Sequence, residues 1–388
     1  MTKLAASFSR LKSEGAFSVL ARARELEAQG RQVGHQQNGE PDFDTPANIV
    51  QAGINALNDG HTHYTPSAGI LPLRQAIVDY VKRAHGLEAN PDQVVVTPGA
   101  KPVVFFAILA LIEPGDDVLC PGPGYPTYES MIDYVGARAV PYRLREENDF
   151  RFDPDEFRAT VTPKTRLIIV NSPQNPTGGV LERSDLEVIA EVAQERDIMV
   201  LSDEIYHRLI YEGEHVSIAT LPGMQERTIL MDGFSKTYAM TGWRLGYGVM
   251  PEDLAQAMAL LQVNSTACAA DFTQVAAIEA LSGPQTAVDD MLAQFRKRRE
   301  VIVDGLNRLP GVSCLKPRGA FYVFPNIKQT GLSSSELASR LLEEAGVALL
   351  AGSDFGEYGD GYLRLSFANS IENIQLALES MHQFLMEL

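Results

Sequence analysis

The chain has 388 residues, 45% hydrophobic and 21% charged, and exceeds the roughly 250–300 residues at which single cores stop growing, so a globular protein of two domains is expected. Its formal net charge of −17 repels polyphosphate and excludes nucleic acid as a partner; any anion site must be built locally from particular cations. No run reaches the ~18 apolar residues that span a bilayer, and the N-terminus lacks the continuous apolar segment of a secretory signal. Cys120, Cys268 and Cys314 follow no CxxC or Cys/His spacing, so reduced thiols, a cytoplasmic location and no metal site are expected. Cys120 closes an apolar run before a loop, which alone does not make it part of a site.

In chain order, residues 1–45 carry one helical stretch, "VLARARELEAQG", and are expected to pack on the smaller domain. From about residue 75 the pattern alternates. "QVVVTPGAKPVVFFAILALIEPGDDVLCPGPGYPTY" reads as strand, turn, helix, Pro-Gly stop, strand and loop. "TRLIIVNSPQNPTGGVL" is a buried strand ending in a turn. "LEVIAEVAQERDIMVLSDEIYHRLIY" is an amphipathic helix, a strand and a polar loop, and "RTILMDGFSKTYAM" is another strand and loop. Short apolar strands alternating with helices predict an α/β fold with a doubly wound, mostly parallel sheet over residues 46–285. Residues 286–388 differ: a long helix at "MLAQFRKRREVIVDGLNRLPGV", strands at "GAFYVFPNI" and "YLRLSFA", and a helix at "SSELASRLLEEAGV" between them. These, with the N-terminal segment, predict a smaller α+β domain.

In a doubly wound sheet the ligand sits at the carboxyl ends of the strands, where Tyr125, Asn175, Asp203, Tyr206 and Lys236 should converge. Taken singly, each has a plain reading: Asp203 a helix cap, Asn175 turn chemistry, "PGAK" a tight turn, Lys236 a surface lysine. Together they match the needs of pyridoxal phosphate. That cofactor requires a lysine amine, an acid facing its pyridine nitrogen, cations and helix N-terminal amides for its phosphate, and an aromatic ring on its face. Lys236 offers the amine and Asp203 the acid. Ala100 and Lys101 offer backbone N–H groups, and Arg244 a guanidinium fork. Tyr125 offers the covering ring, while Tyr206 and Asn175 offer hydrogen bonds to the phenolic oxygen. Small residues around Lys236, Ser235 among them, leave its amine unobstructed.

"GFSKTYAMTGWRLG" resembles the Schiff-base lysine signature of the fold-type I pyridoxal-phosphate aminotransferases of class I/II, in the aspartate aminotransferase-like branch. "NGEPDFDTP", "YTPSAGILPLR", "NSPQNPTGG", "SDEIYHRLIY", "GAFYVF" and "YLRLSFA" resemble further motifs of that family, in its order. The resemblance implies transfer of an amino group from an L-amino acid to a 2-oxo acid by a ping-pong mechanism. Lys236 is then the catalytic residue, and Ala100, Lys101, Tyr125, Asn175, Asp203, Tyr206, Ser235 and Arg244 hold the cofactor. It further implies that Arg364 clamps the substrate α-carboxylate, that Gly39, Tyr125 and Asn175 border the substrate, and that Tyr64 reaches across a homodimer with shared sites to the neighbouring phosphate. Gly233 stands where many relatives carry a phosphate-binding serine, the polar run His35–Asn38 replaces a short apolar one, and Tyr125 takes a position often tryptophan in aspartate-specific members. The amino donor stays open, and so does a β-lyase or other Cα chemistry on the same fold. A non-catalytic regulator that senses the cofactor would need a DNA-binding unit, which fewer than about 50 residues before the α/β pattern and the acidity of the chain as a whole oppose.

Overall fold

The computed structural model describes residues 2–12 and 14–388. Strand β1 (Gly34–His35) precedes the large sheet, which is built from β2 (Val94–Thr97), β3 (Asp117–Gly122), β4 (Arg138–Arg145), β5 (Arg151–Phe152), β6 (Thr165–Asn171), β7 (Met199–Asp203), β8 (Thr228–Gly233) and β9 (Gly246–Val249). The spatial order is β2-β9-β8-β7-β6-β3-β4-β5. The run β8-β7-β6-β3-β4 is parallel throughout, whereas β9 runs antiparallel to both β8 and β2, and β5 antiparallel to β4. The sheet is therefore mostly parallel, as expected, with antiparallel strands toward its edges.

The central strands read as unbroken apolar runs because both their faces are covered. In β6, Leu167 and Ile169 join one apolar cluster with Val118, Leu201 and Ile229, while Ile168 and Val170 join the opposite one with Leu119 and Val200. Parallel strands also bring their carboxyl ends to one edge. Gly122, Asn171, Asp203 and Gly233 all terminate there, so the loops that follow share one crevice.

The C-terminal region forms the antiparallel sheet β10 (Tyr322–Val323), β13 (Leu363–Ser366) and β12 (Leu350–Ala351), in that order, while β11 (Val347–Ala348) pairs in parallel with β1. Its long helix Thr286–Leu306 packs on the terminal helix Ile371–Met386. This core is continuous with the large sheet's loops, since Ile205, Tyr206 and Leu209 belong to the same apolar cluster as Phe295, Phe321 and Phe367.

The N-terminal segment divides its contacts. Helix Gly15–Ala28 packs Ala23 and Leu26 against Leu342 and Ala348 of the C-terminal region, the expected direction. Residues 6–12 depart from that expectation and lie on helix Pro126–Val135 of the large sheet's layer. There Arg10 donates to the Tyr134 carbonyl (2.6 Å), Lys12 N–H donates to Ser130 Oγ (2.9 Å), and Lys12 pairs with Asp133 (2.9 Å). The cause is local charge: Glu129 and Asp133, four apart on one helix face, attract the lysine. Cys120 and Cys314 are buried and all three cysteines are free. Cys120, on β3, packs into the apolar core, where burial pushes its thiol far up and keeps it inert. Among the described residues no helix is long and apolar enough to cross a membrane.

Candidate active site

Asp203 ends β7 with a 5% exposed side chain. Its Oδ2 accepts from Tyr128 Oη (2.5 Å) and its Oδ1 from the Ile205 N–H (3.2 Å). Burial raises its pKa to about 7, against those two hydrogen bonds, which favour the ionised form. Among the described residues no lysine, arginine or histidine lies within ion-pair distance of it. Lys236 follows the neighbouring parallel strand β8. Its Nζ donates to the Gly39 carbonyl and sits 5.9 Å from the centre of the Phe321 ring. Its low-dielectric surroundings press its pKa down to about 8; Arg364 and Arg244 push the same way, while Glu40 and Asp203 oppose. Ser235, next to it, is buried.

Ala100 caps helix Lys101–Leu111, which follows the Pro-Gly turn after β2. Gly99 holds φ +88°, and a Cβ there would collide with the Arg244 guanidinium, so the glycine is what lets Arg244 approach this helix end. Arg244, itself at φ 54°, donates to the Thr241 carbonyl (2.7 Å). Gly233 is constrained less severely: an added Cβ would stand 3.1 Å from the Gly246 Cα, which leaves a serine at this position little room.

Arg364 projects from β13 with 4% exposure. It donates to the Gln37 carbonyl and to Asn175 Oδ1 (3.4 Å), and it stacks on Tyr322 (4.6 Å) and Phe355 (5.3 Å). Among the described residues its Nε has no partner and no carboxylate pairs with it. Burial lowers its pKa, with Tyr322 and Tyr206 opposing. Tyr206 Oη exchanges a hydrogen bond with Tyr322 Oη (2.8 Å), and the Asn175 backbone N–H donates to Asn171 Oδ1 (2.9 Å). Tyr125, at the start of helix Pro126–Val135, meets Tyr128 edge-on at 5.5 Å.

The crevice therefore gathers Gly39, Asn175, Asp203, Tyr206, Lys236 and Arg364, with Ala100, Lys101, Tyr125, Ser235 and Arg244 around them. Tyr64 is not among them: its side chain is 91% exposed in the single chain. The polar run His35–Asn38 is a structural splice. Gln36 donates its N–H to the Ala348 carbonyl and accepts from Ser366 N–H, both at 2.8 Å, while Gln37 lends its carbonyl to Arg364. Sequence reasoning missed Tyr128, Tyr322, Phe355 and Glu14. Tyr128 had a faint signal, since position i+3 from Tyr125 on a helix shares its face. The others come from distant segments and left none.

Behind Asp203 lies a second polar cluster. Glu204 accepts from Ser217 (2.6 Å) and Ser202 (3.0 Å) and bonds His215 Nε2 (2.6 Å), with His85 Nδ1 at 3.6 Å. Burial pushes this carboxyl up, but His215, His85 and Ser217 outweigh it and hold the pKa at about 2.

The family model described as "Aminotransferase class I and II" matches residues 37–381. The chain is 43% identical over 353 residues to aromatic-amino-acid aminotransferase 2 of Thermococcus litoralis, covering 90% of each. It is 39% identical to the aspartate aminotransferase of Geobacillus stearothermophilus over 99% of each. Its structure superposes on the alanine aminotransferase of Pyrococcus furiosus with a TM-score of 0.95, at 37% identity and over the whole of both chains. Three relatives of comparable similarity thus carry three substrate names, while fold and reaction class are common to all. On the strength of the crevice and these matches, the chain belongs to the class I and II aminotransferases, enzymes that transfer amino groups with pyridoxal phosphate.

Proposed function

We propose that the chain binds pyridoxal 5′-phosphate in this crevice and moves the amino group of an L-amino acid to a 2-oxo acid in two alternating half-reactions. One observation carries the reading. An acid and an amine at the ends of adjacent parallel strands are both displaced toward neutrality, Asp203 to about 7 and Lys236 to about 8. The donors present fit the cofactor. A buried carboxylate without a cation partner calls for one, and a protonated pyridine nitrogen supplies it. Arg244 and the Ala100 and Lys101 N–H groups face the same helix end and would hold the phosphate, with Ser235 beside them. Tyr125 would cover the ring. Asn175 and Tyr206 would turn to its phenolic oxygen from their present partners, Arg364 and Tyr322.

When bound, the cofactor supplies the electron sink that lets a Cα–H bond break. The chain does the rest. With a pKa near 8, Lys236 spends part of its time as free amine at neutral pH and can take up the Cα proton and return it elsewhere. The Gly39 carbonyl restrains its Nζ. Arg364, buried and among the described residues lacking a carboxylate, would fix the substrate α-carboxylate with its planar fork, packed against the Tyr322 and Phe355 rings. Tyr128 keeps Asp203 oriented.

Two packed helices expose Phe105 and Leu109 on one and Leu260 and Val263 on the other, which supports a homodimer. In it Tyr64 would reach the neighbouring phosphate. We also propose a large cofactor-binding domain over 46–285, a small domain over 286–388 and a shared N-terminal arm over 1–45. The three free thiols support a reducing compartment, the cytoplasm. Lys236→Ala tests the central assignment: it should abolish oxo-acid formation while still taking up cofactor, read by absorbance of the protein-bound ring. Near wild-type turnover without added amine would remove Lys236 from the mechanism.

A further inference from the structure

Glu14 stands at the start of helix Gly15–Ala28 and leans into the mouth of the crevice. A single oxygen, Oε1, accepts from three donors: the Lys101 ammonium, Tyr125 Oη (3.0 Å) and Thr127 Oγ1 (3.0 Å). The Lys101 ammonium also sits 5.5 Å from the centre of the Tyr125 ring. Burial pushes the Glu14 carboxyl up, but Lys101 and the two hydroxyls outweigh it and hold it below its usual range, so it is ionised. Its charge is felt at the Arg364 guanidinium and at Tyr322. A second carboxylate adds to this field. Asp354 abuts Gly15, where a Cβ would come within 2.5 Å of Asp354 Oδ2, and it too interacts with Arg364.

The cations of the crevice are nearly all committed: Arg244 to the phosphate, Lys236 to proton transfer and Arg364 to the α-carboxylate. Among the described residues Lys101 alone remains for a second carboxylate on a substrate, and it is already neutralised from within. We propose that Glu14 is a specificity-determining residue whose carboxylate takes the place of a dicarboxylic substrate's distal carboxylate, so that the site selects amino acids with uncharged side chains. The inference rests on the aminotransferase reading above and on Arg364 as the α-carboxylate partner. An incoming distal carboxylate must either share Lys101 with a like charge or drive Glu14 away from it. Driving it away leaves a carboxylate, 23% exposed, with hydroxyl donors only. Lys101 retains 47% exposure, so water screens part of the effect and a tenfold scale is expected, not a thousandfold one.

The test compares kcat/KM for aspartate and glutamate with that for alanine and phenylalanine, in the cofactor-loaded wild type, Glu14→Gln and Glu14→Gln/Lys101→Met. Methionine keeps the backbone N–H at position 101. Wild type should favour the neutral donors. Glu14→Gln should raise the acidic-to-neutral ratio about tenfold or more, mainly through KM, and adding Lys101→Met should abolish the gain. A readout independent of turnover is calorimetric binding of succinate against butanoate. Glu14→Gln should tighten succinate about tenfold and leave butanoate nearly unchanged. An unmoved ratio while neutral donors still react overturns this inference alone, as does a wild type that prefers aspartate. Failure of every amino acid to yield an oxo acid overturns the aminotransferase reading and takes this inference with it.

Discussion

Asp203 and Glu204 are consecutive in the chain, almost equally buried at 5% and 1% exposure, and shifted in opposite directions, Asp203 up to about 7 and Glu204 down to about 2. Burial raises both carboxyls, so burial does not separate them; what each one faces does. Asp203 faces a phenol and an amide, which favour its charge without cancelling it. Glu204 faces two histidines and two serines, which meet its charge within the protein. The Glu204 carboxylate is satisfied by its neighbours and fixes the 203–207 loop from behind, although His85 Nδ1 and Nε2 and His215 Nδ1 have no hydrogen-bond partner among the described residues. The Asp203 face has a demand that none of the described residues meets, and such a residual demand is where a ligand belongs.

Removing each carboxylate should break the comparison in opposite ways. Asp203→Ala should cost about 10²–10³ in turnover, as loss of one electrostatic stabiliser does, with unfolding stability of the cofactor-free protein unchanged or raised. Steady-state kinetics and urea unfolding measure the two, and unchanged turnover would take Asp203 out of the site. Glu204→Gln should reverse the pattern, losing about 2–3 kcal/mol of stability because buried histidines lose their partner, while folded enzyme keeps most of its turnover. A pH dependence sharpens the contrast. Asp203 has a folded pKa near 7, above the ~4 of an unfolded carboxyl, so its contribution is present below about pH 4 and is lost as pH rises through 7. Glu204 is depressed to about 2, so its contribution is present above about pH 4.3 and is lost as pH falls through 2. Urea titration of cofactor-free protein between pH 4 and 7 should then show Asp203→Asn lacking a downward slope of up to about 1.4 kcal/mol per pH unit that wild type and Glu204→Gln share. Parallel pH curves for all three would mean the two faces do not differ as described.

Much of the fold was legible because its signals are local. Unbroken apolar runs such as Leu167–Val170 mark strands buried on both faces, and Pro-Gly and Asn-Pro punctuation marks their ends. The antiparallel course of β9 was not legible, because a short strand of alternating glycines carries no mark of direction. Residues 6–12 were expected on the C-terminal region and lie on helix Pro126–Val135, drawn by an acidic pair more than a hundred residues away.

The sequence by itself determined the parallel sheet, the edge at which polar residues gather, and the chemical types assembled there. All of these follow from the side-chain period of a strand and from turn chemistry within a few residues. Only the tertiary structure decided that Tyr128 holds Asp203, that Tyr322 and Phe355 flank Arg364, that Gly99 admits Arg244, and that Glu14 occupies Lys101. Each of these joins segments far apart in the chain, and the charge state of a buried group depends on all of its neighbours at once. Neither chain distance nor a local pattern encodes that sum; it exists only once the chain has folded.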